Sequence, residues 1–392
     1  MTNTVTRQSL NILHILNDGF YTSFLLFLPF LTADFDMNLT QAGLLGTIVN
    51  SLGMLCALPS GYLAMRIGGM RLLLLSAILY GVGYAVMGFA HSYLWLFPSF
   101  IAAGIGFALF HPVAFALVTR ISPPEERGKN MGNFTAVGDV GKIGISSALT
   151  FIVVYMGWRS TALLYGMVAI SAGFVFLWLY RRHEHEPRAP TQGTDLRMQM
   201  ILSRPPFLLA VLTSFFDVFS SASLFIFLPF LLLSRGIDVA LLGPFSAVFF
   251  VGNLLGKSVL GRFSDRFSNA SVVIVSELLM ALCIVLLASS TSVAIIILSS
   301  IVAGMFTKGT VPVIQTMIAL ASDHHGHFER SFAVSGFINA IALTISPVFL
   351  GYMSDQWGIV SAFYSMAIIA SFAVIPAFFF HLTCARRLRS LR

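Results

Sequence analysis

The chain has 392 residues, 57% of them hydrophobic and only 10% charged, with a formal net charge of +7. A soluble globule carries about 25% charged residues, so this chain has too little polar surface to face water, and a soluble enzyme or binding module is excluded. Its three cysteines, Cys56, Cys283 and Cys384, are scattered and supply neither a disulfide framework nor a metal-ligand cluster.

Hydrocarbon about 30 Å thick needs roughly 20 helical residues to cross it. Broken at its polar, glycine and proline punctuation, the sequence predicts twelve such segments. Residues 1–8 are polar, and the apolar run behind them is about 25 residues long without a small-residue cleavage site. It is therefore read as a first span, 9–33, rather than as a signal peptide. Five more follow at 41–65, 70–90, 93–119, 130–156 and 160–180. The hydrophilic insert 181–204, with Pro187, Pro190 and Gly193, is read as a solvated linker. The remaining spans run over 207–233, 240–263, 270–288, 292–321, 331–353 and 358–382. The expected fold is an all-α integral membrane protein with an N-terminal six-helix bundle (1–180), a cytoplasmic linker (181–204) and a C-terminal six-helix bundle (205–392).

Placement of the 23 Lys and Arg sets the orientation. With the N-terminus inside, the opposite face carries only Arg159 and Arg235. Lys142, Lys257 and Lys308 fall within spans, and the other eighteen lie on the cytoplasmic side. The positive-inside rule then puts both termini in the cytoplasm, as for a bacterial inner-membrane protein. The excess positive charge is an orientation device and a contact for anionic lipid, not a nucleic-acid footprint.

The pentapeptide FLPFL occurs at residues 27–31 and again at 227–231. The offset of 200 continues in register: Asn17 with Asp217, Gly43 with Gly243, Gly61 with Gly261, Arg66 with Arg266, Gly104 with Gly304 and Pro112 with Pro312. One pentapeptide is explained by a Phe- and Leu-rich composition; an in-register series at equivalent points of two halves is the mark of an internal duplication. Pro29 and Pro229 lie at equivalent depths in spans one and seven. Each removes a backbone hydrogen bond and permits a bend, for gating or for packing alone.

Two parallel six-span repeats around an axis normal to the membrane resemble the architecture of major facilitator transporters. The loop after span two in that superfamily resembles G-x-x-x-D-R-x-G-R. Here the second half reads Gly261-Arg-Phe-Ser-Asp265-Arg266, whereas the first half has Met65 where the aspartate would stand. "PPEERGKNMG" at 123–132 is similar to the superfamily's P-x-x-x-R-G pattern, and Phe110-His111-Pro112 with the glycine-rich start of span five is similar to the fosmidomycin-resistance-like branch of drug:proton antiporters. Span five lacks that family's antiporter Gly-Pro pair. The resemblance implies that Asp265 and Arg266 form a cytoplasmic latch, the alternative being a solvated helix cap. It also implies that spans one, four, seven and ten line a central cavity.

Seven acids and lysines fall within predicted spans: Asp18, Asp139, Lys142, Asp217, Lys257, Glu277 and Lys308. A charge near the bilayer centre costs at least about 2.5–3.5 kcal/mol on insertion scales, so these groups are expected to face a hydrated cavity or one another. In span one, His14, Asn17, Asp18 and Tyr21 recur at helical spacing along one face. Desolvation penalises a charged carboxylate and brings proton exchange within reach. Asp18 is thus the first candidate for proton coupling with His14 as relay, and Asn17 and Tyr21 are candidate substrate contacts; the alternative is a stripe that caps the helix end. Asp139 and Lys142, three residues apart, are a candidate coupled acid and base at the cavity wall, or a self-neutralising pair. Gly138, Gly141 and Gly144 recur every three residues as a face for close helix packing. His111 beside Pro112, Asp217, Lys257 and Lys308 complete the substrate-binding candidates, with Lys257 expected to neutralise Asp217 or attract an anion. Glu277 falls in span nine, peripheral in the family, and receives no role.

The function expected is proton-coupled secondary transport of a small organic compound, with an anionic or chelating group, by alternating access. Efflux by antiport leads, and proton-linked import of an organic acid, nutrient or siderophore is the alternative. A nontransporting receptor or intramembrane enzyme is the third reading; no HExxH, GxSxG or His/Cys cluster supports catalysis. The expected partners are a small-molecule substrate and the bilayer, with no nucleic acid. The chain is expected to act as a monomer, using no cofactor or metal and drawing on the proton gradient.

Overall fold

The computed structural model describes residues 3–123, 126–181, 205–264, 266–322 and 328–390. Among the described residues there is no strand: the chain runs α1 (Asn3–Leu26), α2 (Leu28–Asp34), α3 (Leu39–Ile67), α4 (Gly69–Gly88), α5 (Tyr93–Ile121) and α6 (Arg127–Arg181). It continues through α7 (Pro205–Ser221), α8 (Leu224–Ser234), a 3-10 turn at Val239–Leu241, α9 (Leu242–Ser264), α10 (Asn269–Ser289), α11 (Val293–Ala321), α12 (Phe328–Trp357) and α13 (Ile359–Ser390). Hydrocarbon offers backbone groups no partner, so helices that satisfy their own hydrogen bonds are what such apolar stretches form. Among the described residues, eleven stretches are long and apolar enough to cross a membrane. The 49-residue stretch Asn130–Trp178 holds two crossings, because Gly157 (φ 77°) breaks α6 between the expected fifth and sixth spans. Large apolar side chains such as Tyr155, Leu94 and Trp95 are exposed, as a lipid-facing surface requires. The chain is a multi-pass integral membrane protein.

Local signals set the turns. Asn38 and Gln41 form a capping box at the start of α3: the Gln41 amide donates to Asn38 Oδ1 at 2.8 Å, and the Asn38 amide to Gln41 Oε1 at 3.0 Å. Gly68 (φ 93°) turns α3 into α4 within one residue. The linker 182–204 lies outside the described residues.

The first span departs from expectation. It is two helices that part at Phe27, and the seventh span likewise parts between Ser221 and Leu224. The two breaks are not at matching positions. Pro29 sits in the first turn of α2, where a missing N–H costs nothing. Pro229 lies within α8, past its break.

The chain divides into two compact units, Met1–Thr191 with Gly236–Ala247, and Gln192–Arg235 with Val248–Arg392. The segment Gly236–Ala247 is held in the first unit by Thr150 of α6, whose Oγ1 donates to Ala240 O at 2.9 Å and accepts from the Gly243 amide at 3.2 Å. The core of the first unit brings Leu10 and Leu13 of α1 against Leu73 of α4, Phe110 and Val113 of α5 and Phe134 of α6.

The duplication is visible in the backbone. A Cβ on Gly104 would stand 3.2 Å from Val49 Cα, and one on Gly304 would stand 2.1 Å from Phe249 O, so the same close helix approach recurs 200 residues later within the second unit. Asp36 (φ 49°) and Gly236 (φ 77°), also 200 apart, both adopt the left-handed conformation.

Candidate functional site

The first unit gathers six of the predicted residues into one largely buried group. His14, Asn17 and Asp18 project from one face of α1, and α6 comes up close because it presents glycine there. A Cβ on Gly141 would lie 2.0 Å from Ile15 O, and one on Gly138 would lie 2.6 Å from His14 Nε2 and 2.7 Å from Asp18 Oδ2. Gly144, expected on the same packing face, meets nothing within 4 Å and takes no part in it. Asp139 and Lys142 lie on the same turns of α6, and α5, unbroken through Pro112, supplies His111.

Asp18 is the hub. Lys142 Nζ lies 3.0 Å from Asp18 Oδ2 and 3.0 Å from Asp139 Oδ1, bridging two carboxylates. Oδ1 of Asp18 accepts from Asn17 Nδ2 at 2.9 Å and faces His111 Nε2 at 3.3 Å and His14 Nε2 at 3.4 Å. The acids are sealed, their side chains 4% and 1% exposed, whereas Lys142 and His111 keep 21% and 27%. Asn17, expected to bind substrate, instead spends both ends of its carboxamide on the protein: Tyr80 Oη donates to its Oδ1 while its Nδ2 holds Asp18. Tyr21 stacks on Phe107 at 3.9 Å and reaches Asn50 Oδ1 at 3.5 Å.

His14 carries a constraint that no neighbour relieves. Its Nδ1 lies 2.8 Å from the carbonyl oxygen of Phe134, which can only accept, so Nδ1 bears a proton. Nε2 then faces the carboxylate of Asp18 and has no other hydrogen-bond partner among the described residues. Two lone pairs facing each other in a buried site are unfavourable. A proton between them, on the imidazole or on the carboxyl, converts the contact to a charge-assisted or neutral hydrogen bond. The charge count agrees: Asp18 and Asp139 against Lys142 leave one negative charge in excess, which a single proton cancels.

His14, Asp18 and His111 also offer three ligand atoms within 4.8 Å of one another. Their closer separations suit a metal bound at about 2.0–2.1 Å. The Lys142 ammonium on the same carboxylate opposes a divalent cation, so a proton is the occupant the electrostatics favours.

The second unit has an opening in the same register. A cavity of about 420 Å³ is lined by Ser214, Asp217, Val218, Val311, Gln315 and Asn339, among others. Ser214, Asp217, Val218, Val311 and Asn339 stand 200 residues after His14, Asn17, Asp18, His111 and Asp139. Four of these five positions carry uncharged side chains, and Ser214 and Val311 are smaller than the histidines they match, which leaves room where the first unit is filled. Asp217 Oδ1 accepts from Thr310 Oγ1 at 2.8 Å, and Asn339 Nδ2 donates to Ser214 Oγ at 2.8 Å. Lys308 of α11 is the cation whose charge bears on Asp217, in the place expected for Lys257, which is half-buried on α9. Arg266 is exposed, and its predicted partner Asp265 lies outside the described residues.

Sequence reading did not single out Tyr80, Asn50, Phe134 or Thr310. Tyr80, one of two buried phenols on α4 with Tyr84, was the legible signal. The Phe134 carbonyl carried none.

The sequence profile of the Major Facilitator Superfamily matches residues 10–249 and 210–390. The chain belongs to the Major Facilitator Superfamily, and so to the membrane transporters rather than the enzymes. Among its relatives, a protein provisionally assigned to metabolite transport in Haemophilus influenzae is 28% identical over 74% of this chain and 75% of its own length. A probable L-galactonate transporter of Escherichia coli K12 is 27% identical, over 38% of this chain and 33% of its own length. The fold is shared with a bacterial homologue of the human lysosomal transporter Spinster, solved in an inward-facing, occupied conformation: TM-score 0.77, 18% identity, 98% of this chain and 97% of that one.

Proposed function

We propose that the chain is a secondary transporter of small organic compounds in which a proton held by the Asp18 group is coupled to movement of an organic anion. The observation that carries this reading is His14, fixed between a carbonyl that can only accept and a carboxylate that needs a donor. Asp18 and His14 bind the proton, and Asp139 and Lys142 set the charge balance around it. The two members of the group that keep exposure, Lys142 and His111, are its basic ones. A cargo anion therefore meets the positive edge of the group. The names of the relatives, metabolite transport and L-galactonate transport, support a small organic cargo.

The electrostatics favours proton-linked symport over the efflux by antiport that leads in the sequence reading. Loading a proton makes the exposed edge more positive and strengthens anion binding, so proton and anion bind together; an antiporter needs the opposite linkage. Under an inward proton gradient this is import. An inner-membrane setting with both termini cytoplasmic, which the Lys and Arg distribution supports, and a monomer as the working unit belong to the same proposal.

The test is uptake of labelled L-galactonate and a panel of small carboxylates into proteoliposomes under an imposed pH gradient. Acid outside accelerates uptake by the wild type. Asp18→Asn abolishes that acceleration yet retains cargo exchange without a gradient. Uptake driven instead by an acidic interior, or a full response to the gradient in Asp18→Asn, would falsify the proposal.

A further inference from the structure

Helix α10 has the highest mean hydropathy of the membrane-crossing segments, 2.7, and Glu277 is the one charged residue in it. Its side chain is fully buried, and neither carboxyl oxygen has a hydrogen-bond partner among the described residues. An ionised carboxylate without a donor in such a setting is among the costliest arrangements a protein can hold. Another acid, Asp217 of α7, itself 1% exposed, lies within its hydrogen-bonding reach. Two ionised carboxylates repel and have no hydrogen to share; one proton between them gives a strong O–H···O⁻ bond.

The rest of the surroundings agrees with a single shared proton. Thr310 Oγ1 donates to Asp217 Oδ1, and Lys308 is the cation bearing on Asp217. Both favour the remaining negative charge on Asp217 and place the proton towards Glu277. Asp217 lines the cavity of the second unit and is thus the member of the pair next to that opening.

We propose that Asp217 and Glu277 bind one proton between them and form a second proton-binding site, in the C-terminal half, that loads from the cavity through Asp217. This site is separate from the Asp18 group and stands whether or not that group couples transport. It gives Glu277 a function that its position in a peripheral span conceals.

Infrared difference spectroscopy of the full-length purified protein across pH tests the assignment through the C=O stretch of a protonated carboxyl. The wild type shows such a band at neutral pH and loses it at alkaline pH. Glu277→Gln, which keeps a donor facing Asp217, lacks the band while retaining wild-type helicity and gel-filtration behaviour. Asp217→Asn keeps an acceptor for the Glu277 proton, so its band persists, shifted, through the alkaline range where the wild-type band disappears. Asp18→Asn leaves the band in place, which separates this site from the first. A wild-type band that survives Glu277→Gln in folded protein overturns the proposal. Should Glu277→Gln not fold, an Asp217→Asn band that neither shifts nor changes its pH dependence overturns it equally.

Discussion

Replacing Lys142 by alanine tests the charge balance of the first unit most directly. The ammonium bridges Asp18 and Asp139 at 3.0 Å each, so its loss leaves two carboxylates, 4% and 1% exposed, without their shared cation. Removing one partner of a buried ion pair costs about 3–5 kcal/mol. Lys142 keeps 21% exposure, and solvent screening brings the expectation to the lower end, about 3 kcal/mol. That corresponds to roughly a hundredfold shift in the folded-to-unfolded ratio, at tenfold per 1.4 kcal/mol. Adding Asp139→Asn to Lys142→Ala restores the wild-type excess of one negative charge and recovers most of the lost stability. The assay is thermal unfolding of detergent-purified protein, with monodisperse yield as a second readout, across wild type, both single variants and the double variant. The double variant folds but does not transport. The reasoning is refuted if Lys142→Ala melts with the wild type, or if the double variant is no more stable than Lys142→Ala alone. Recovery of transport as well as stability would reduce the pair to a structural device.

Two further outcomes follow from the packing of α1. Gly141→Ala drives a methyl group into the backbone carbonyl of Ile15, which cannot yield as a side chain would, and lowers stability by about 1–3 kcal/mol or more. Gly144→Ala, with nothing within 4 Å, is the matched control and is neutral or slightly stabilising in the same melting experiment. Tyr80→Phe leaves Asn17 Oδ1 buried without its donor and costs about 1–3 kcal/mol. Because Asn17 holds Asp18, this variant also moves the pH dependence of uptake, a readout that a purely structural tyrosine would leave unchanged.

The membrane crossings were legible because lipid imposes one rule on every span, enough apolar residues to satisfy a helix across the hydrocarbon. The pairing of Asp139 with Lys142 was legible for a related reason, since helix geometry alone brings positions three apart together. What could not be read was contact across elements. Lys142 also reaches Asp18, 124 positions earlier in the chain, and no local pattern announces it. The glycines of span five were recognised as a packing face, yet only Gly138 and Gly141 meet α1; helix phase excludes Gly144 by an amount that spacing in the sequence does not resolve. Asn17 had the right face, but its bond from Tyr80 crosses between helices and could not be read. Glu277 was set aside on the position of its span, and its partner Asp217 lies in another helix. The break at Phe27 was missed because proline marks the helix that begins after it rather than the one that ends.

The cavity of the second unit, in register with the charged group of the first, gives this protein a reference inside its own sequence. The positions in register have a counterpart 200 residues away on a similar scaffold, so differences between the copies there can be read as natural substitutions. His14 stands against Ser214, Asp18 against Val218, His111 against Val311 and Asp139 against Asn339. One copy holds the ionisable group at these positions and is filled, and the other holds neutral side chains there beside Asp217 and is open. A duplicated unit that had to do both tasks at every site would be constrained at every site; two linked copies escape that constraint. Ancestral reconstruction therefore has a concrete place to look, at the few paired positions where filling one copy and hollowing the other divided the work between them.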